Sequence, residues 1–148
     1  MWLIIPFIIQ SVVIGIDEGV FHLKRGLPRW ERIGHPLDTL SVIICLMFVL
    51  CVPYSGPALK WYIGLALVSC LMVTKDEFVH KHHCPASEQW LHALLFINHP
   101  ILLTCIGLIW KNPTPFFTYF LMAQTFFAVL FFLYQAIYWN LIWKPKQE

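Results

Sequence analysis

An all-α fold, a polytopic membrane bundle of about five transmembrane helices, is what this sequence predicts, and three observations predict it. Apolar residues make up 59% of the 148 residues and charged ones only 12%. The mean hydropathy is +0.68. The apolar residues also fall into five long runs, with short polar connections between them. A soluble domain of this size needs more polar surface to cover its core. A run of about 20 apolar residues spans a hydrocarbon layer roughly 30 Å thick.

The first run, residues 2–21, has no basic segment before it and no small-x-small cleavage pattern after it. It is therefore expected to stay as a helix and not to be removed as a signal peptide. The second run covers 35–53 and the third 61–79. The fourth covers 90–110, and the fifth, rich in phenylalanine, covers 115–143. Connections this short leave no room for a separate soluble domain, so one membrane domain over 1–148 is expected. Cys45, Cys51, Cys70 and Cys105 lie within apolar runs, where cysteine acts as a small hydrophobe, and they do not suggest a disulfide framework.

Charge sets the expected orientation. Five spans put the first and third connections and the C-terminus on one side. That side carries Lys24, Arg25, Arg29, Arg32, Lys75, Lys81, Lys144 and Lys146, and the other carries only Lys60 and Lys111. The positive-inside rule places the richer side in the cytoplasm and the N-terminus outside. Trp61, Trp110 and Trp143, near span ends, fit an interfacial aromatic belt. Membrane lipids are expected partners; nucleic acid is not.

The polar residues repeat. Asp17-Glu18 ends the first apolar run and Asp76-Glu77 the third, and His22 and His80 follow within about a turn. Pro28, Glu31 and His35 then map onto Pro85, Glu88 and His92 with one constant offset. Two tandem helical hairpins, about 1–53 and 58–110, are therefore expected to form a pseudo-twofold four-helix bundle, with a fifth helix over about 115–143.

Nearly all the ionisable groups lie in these two segments. They hold seven of the eight acidic residues, all but Glu148, and all seven histidines. Charges within a membrane helix cost at least ~2.5 kcal/mol each near the bilayer centre, and they persist when paired or coordinated. The spacing favours convergence. Glu18 and His22, Glu31 and His35, and Glu88 and His92 are each four apart and share a helix face, and Glu77 and His80 are three apart. These eight residues are the expected metal ligands. Asp17 and Asp76 lie about 100° from their glutamate neighbours on an α-helix and are expected to orient ligand imidazoles. Asp38, His83 and His99 are further candidates, as ligands or as orienting groups. His82 and Cys84 read as loop residues.

Carboxylates and imidazoles without thiolates suit iron, manganese or zinc. Eight candidates exceed the needs of one ion, so two divalent ions, iron first, are expected, held about 3.5–4 Å apart by bridging carboxylates. The chemistry resembles that of integral-membrane, histidine-rich di-iron proteins such as fatty-acid hydroxylases and desaturases. His80-Lys81-His82-His83 is similar to their clustered-histidine boxes, with one residue between the first His and the pair where those boxes have two. The resemblance implies a di-iron oxidoreductase acting on a lipid, acyl chain or quinone, with an electron donor as a further partner. The residues also admit a zinc-dependent intramembrane hydrolase of a lipid amide or ester, and a non-enzymatic metal or proton conduit or metal-sensing scaffold. The fifth helix, with Phe116, Phe117, Phe120, Phe126, Phe127, Phe131 and Phe132, is expected to pack and face lipid, or to wall a groove for an apolar substrate.

Overall fold

A computed structural model describes residues 1–75 and 85–144. Among these the chain is helical throughout and has no strand. Five helices are each long and apolar enough to cross a membrane: α1 (Trp2–Arg25), α2 (Arg29–Cys51), α3 (Gly56–Thr74), α4 (Ala86–Lys111) and α5 (Pro115–Ile142). The expected fold class is borne out, as an all-helical, multi-pass membrane protein. Asp76, Glu77, His80, His82, His83 and Cys84 lie outside the described residues.

The helices start where backbone chemistry favours a start. Ser55 and Thr114 accept hydrogen bonds from the Ala58 and Phe117 amides, and each helix has a proline in its first turn. α2 and α4 begin in a common way. Pro28 and Pro85 precede them with nearly the same extended backbone, φ −64°, ψ 158° and φ −66°, ψ 157°. Glu31 and Glu88 are each the third residue of the helix that follows, near its positive dipole end. Both helices thus start before their apolar runs, because a polar first turn is stabilised locally and needs no hydrophobicity.

α2 and α4 also carry internal prolines, Pro36 and Pro100. Pro36 has no N–H to offer the Arg32 carbonyl, one turn back. Asn140 of α5 donates to that carbonyl at 3.1 Å instead. Gln135 of α5 accepts from Thr39 of α2 at 2.7 Å. These polar contacts accompany an extensive packing of α5 along α2. α2 also packs on α3, and α3 on α4. α1 packs along α4 more than along α2, its neighbour in sequence.

The interior has two zones. An apolar core at one end joins Phe7, Leu46, Val49, Tyr62, Leu103, Ile106, Ile109 and Leu121. Trp110, placed by sequence in an interfacial belt, is buried there and donates to the Val52 carbonyl at 2.8 Å. It sits against Phe48, Tyr54 and Tyr62. The polar residues converge at the other end, where α1 and α5 finish and α2 and α4 begin. Between the zones lies a cavity of about 370 Å³.

The turn from α1 to α2 consists of Gly26, Leu27 and Pro28. Gly26 has φ +75°, and a Cβ there would stand 2.5 Å from Trp143 Cζ2. Gly26→Ala should therefore destabilise the protein by at least ~1 kcal/mol through backbone strain and the displaced ring. Gly64→Ala, where a Cβ meets open space on α3, should be neutral or stabilising by up to about 1 kcal/mol. Thermal unfolding in one detergent compares the two.

Candidate metal centre

Four helices supply the polar cluster, and the local conformation of α1 decides its layout. Residues Asp17–His22 form a π-helical stretch. In an α-helix, residues five apart point about 140° away from each other. A π turn bonds i to i+5 and stacks them. Asp17 and Glu18 consequently both reach His22. His22 Nε2 lies 3.1 Å from Asp17 Oδ2, and His22 Nδ1 lies 3.0 Å from Glu18 Oε2. The widening sets His22 between the two carboxylates, one at each ring nitrogen.

Glu18 accepts from both sides. Its Oε2 takes the His22 Nδ1 proton, and its Oε1 takes the indole N–H of Trp139 from α5. A carboxylate only accepts, so Nδ1 of His22 carries a proton. Nε2 makes no hydrogen bond among the described residues. This is the arrangement in which a metal-bound histidine is found: one ring nitrogen is held by a carboxylate and the other is turned to the ion.

Around that nitrogen stand Asp17, Glu88 and His92. Glu88 Oε1 is 3.7 Å from His22 Nε2, and His92 Nε2 is 3.2 Å from Asp17 Oδ2. One donor atom from each of Asp17, His22, Glu88 and His92 lies within 4.8 Å of all the others, and all four residues are buried. A tetrahedral ion with bonds of about 2.1 Å puts its ligand atoms about 3.4 Å apart. The spacings of 3.1 and 3.2 Å lie close to that value. Asp17 Oδ1 and Glu88 Oε2 are also buried without a hydrogen-bond partner among the described residues. Buried polar atoms are rarely left so, and an ion among them would satisfy the group. The residues present therefore fit one metal ion.

A second group, His22, Glu31 and His35, shares His22 with the first. The His22 and His35 rings are 4.9 Å apart, centre to centre. Glu31 and Glu88 are both 0% exposed, and Arg25 joins them: its Nη2 is 2.8 Å from Glu31 Oε2 and 2.8 Å from Glu88 Oε1.

The other candidates are placed as follows. Asp38 pairs with Lys75 at 2.6 Å on the cavity wall. His99 lies further along α4, also on the wall, and meets Ser69 at 2.9 Å. Ser41 donates to the Asp38 carbonyl, at 2.7 Å. Its one hydrogen is thereby used, so Ser69 donates to Ser41, and His99 must donate to Ser69 through Nε2. Glu77, His80, Asp76 and His83 fall outside the described residues.

One participant escaped the sequence reading, and another was legible only in part. Trp139 is a single tryptophan in an apolar run, with no spacing signal to mark it. Arg25 was legible as a charge near the carboxylates, yet not as the bridge between two hairpins.

Comparison with known protein families, curated proteins and solved structures finds no match for this chain.

His22 and His99 are expected to carry opposite tautomers, Nδ1–H and Nε2–H. A nitrogen-15 spectrum of histidine-labelled, metal-free protein would show both. Glu18→Gln should perturb only the first and Ser69→Ala only the second; two histidines of one tautomer would contradict the assignment.

Proposed function

We propose that this protein is a membrane-embedded, metal-dependent oxidoreductase acting on a hydrophobic substrate held in its internal cavity. The observation that carries the reading is the buried Asp17, His22, Glu88 and His92 group, set in or beside the wall of that cavity. Asp17, His22 and His92 line it directly. Carboxylates and imidazoles without a thiolate favour iron, with manganese or zinc as competitors.

The residues divide the work. Asp17, His22, Glu88 and His92 would hold the ion. Glu18, itself held by Trp139, fixes the His22 ring. Iron bound there would supply the redox chemistry for a two-electron oxidation with O₂ as oxidant. For hydroxylation, O₂, two donor electrons and two protons convert a C–H bond to C–OH and release one water, so an external electron donor is part of the reading. The cavity is partly open at the side of the bundle, and its wall is mixed. Ile14, Val42, Leu95, Phe96, Leu102, Phe127 and Phe131 offer it apolar surface, and Gln10, Thr39, Gln124 and Gln135 offer polar contacts. Phe131 is the half-buried part of the phenylalanine-rich helix on this wall; Phe127 stands at the edge of the cavity and, like Phe116 and Phe126, is exposed to the outside.

On this reading the cluster faces the cytoplasm, as the lysine- and arginine-rich connections suggest. The shared proline-glutamate starts of α2 and α4 support two copies of one hairpin. Zinc-dependent hydrolysis of a lipid amide or ester is the second reading, favoured by one complete set of four ligands. Four protein ligands, however, leave a zinc ion no place for the attacking water, which puts this reading behind the first.

Purified protein should contain iron and change its visible absorption on oxidation and reduction. Glu88→Gln or His92→Ala should remove most of the metal, and Glu18→Gln should weaken binding about 10–100-fold. Zinc in place of iron would favour the hydrolase, and no metal at all would end both readings. Gly15 lines the cavity, and a side chain there meets open space. Gly15→Phe should therefore lower binding of a fluorescent long-chain fatty acid at least tenfold and leave metal content unchanged.

A further inference from the structure

The two candidate metal groups do not stand on equal terms. The first has four buried residues of its own. The second has His22, Glu31 and His35, and it borrows His22 from the first. Its one carboxylate is engaged along both oxygens by Arg25, whose Nη2 is 2.8 Å from Glu31 Oε2 and whose Nη1 is 3.5 Å from Glu31 Oε1. The same Nη2 lies 2.8 Å from Glu88 Oε1. Arg25 thus stands between carboxylates of α2 and α4, where a bridging cation of a two-metal cluster would stand.

An arginine in that position is a permanent cation. Its guanidinium does not lose its proton in a protein, and its planar fork matches carboxylates. Two fully buried carboxylates facing one another require a positive charge between them. Either a guanidinium or a second metal ion meets that requirement, and the two compete for the same oxygens. Arg25 is also fixed by its surroundings. It ends α1, and the next residue, Gly26, turns the chain so that three residues later α2 begins. The Gly26 amide donates to the His22 carbonyl at 2.7 Å, and Trp143 packs against Gly26.

We infer that Arg25 takes the place of the second cation, so that the cluster binds a single metal ion and Arg25 is the residue that sets this number. The inference rests on the metal-binding reading above, and it replaces the pair of ions that the count of ligands in the sequence suggested. Glu31 is then the partner of Arg25 and not a ligand. Glu88 divides its oxygens: Oε1 is held by Arg25 and Oε2, without a hydrogen-bond partner among the described residues, is left for the ion.

The test loads the full-length protein with manganese(II), measures metal per chain, and records its paramagnetic resonance spectrum, which differs between an isolated ion and a coupled pair. The expected result is one ion per chain in the unsubstituted protein and in Arg25→Lys, which keeps the positive charge. Arg25→Gln should rise toward two ions and show a coupled pair. Should Arg25→Gln fail to fold, Glu31→Gln decides: one ion retained supports the inference, whereas loss of that ion overturns it. Two ions in the unsubstituted protein, or one in a folded Arg25→Gln, would overturn it and leave the metal reading standing. No ion in the unsubstituted protein would instead remove the metal reading itself.

Discussion

Four carboxylates, Asp17, Glu18, Glu31 and Glu88, are buried together at one end of a bundle whose outer surface is apolar. The free energy of that burial constrains most of what surrounds it. An isolated buried carboxylate is too costly to keep ionised. Each of these therefore has a donor or cation placed against it. Arg25 serves Glu31 and Glu88, His92 serves Asp17, His22 serves Glu18, and Trp139 serves Glu18 again. Because those groups come from α1, α2, α4 and α5, satisfying the charges also fixes how the four helices meet. The packing at this end is directional, set by hydrogen bonds and charge.

The opposite end works by another principle. There the helices close on Leu46, Tyr62, Leu103, Ile106 and their neighbours, and burial is set by shape. Only a few directed contacts appear among them, such as the Tyr62 hydroxyl on the Leu103 carbonyl at 2.6 Å. The cavity lies where the two regimes meet. Polar side chains too widely spaced to join the cluster, and apolar ones too far from the core, are left facing each other across a gap. A protein interior is normally filled to crystal-like density, so space of this size beside a donor cluster is the feature that points to a ligand.

The fifth helix is more than a lipid-facing addition to the other four. Gln135 and Asn140 bond to α2, Trp139 holds Glu18, and Trp143 closes over Gly26 and stacks on Arg32 at 5.4 Å. Its C-terminal turns thus lock the α1–α2 turn from outside, while Phe127 and Phe131 wall the cavity. One helix therefore supports both the candidate ligands and the space in front of them. The widened π turn in α1 has a similar double effect: it brings Asp17 under His22 and keeps Glu18 on the far nitrogen.

What the sequence determined by itself is everything that follows from local pattern. Apolar run length sets five spanning helices. Residues four apart share a face, and so Glu18 with His22 was legible. The same rule put Glu31 with His35 and Glu88 with His92 as pairs. The concentration of acids and histidines in two segments showed where the polar end lies. Which of those groups face one another was decided by tertiary structure alone. No pairwise spacing shows that α1 turns π-helical at Asp17, that Arg25 bridges glutamates 57 positions apart in the chain, or that Trp139 reaches Glu18 across the bundle. The reason is physical. Helix periodicity fixes the direction of a side chain relative to its own axis, whereas the meeting of side chains from different helices depends on rotation, tilt and backbone widening, and these are settled only when all the buried charges must be satisfied at once.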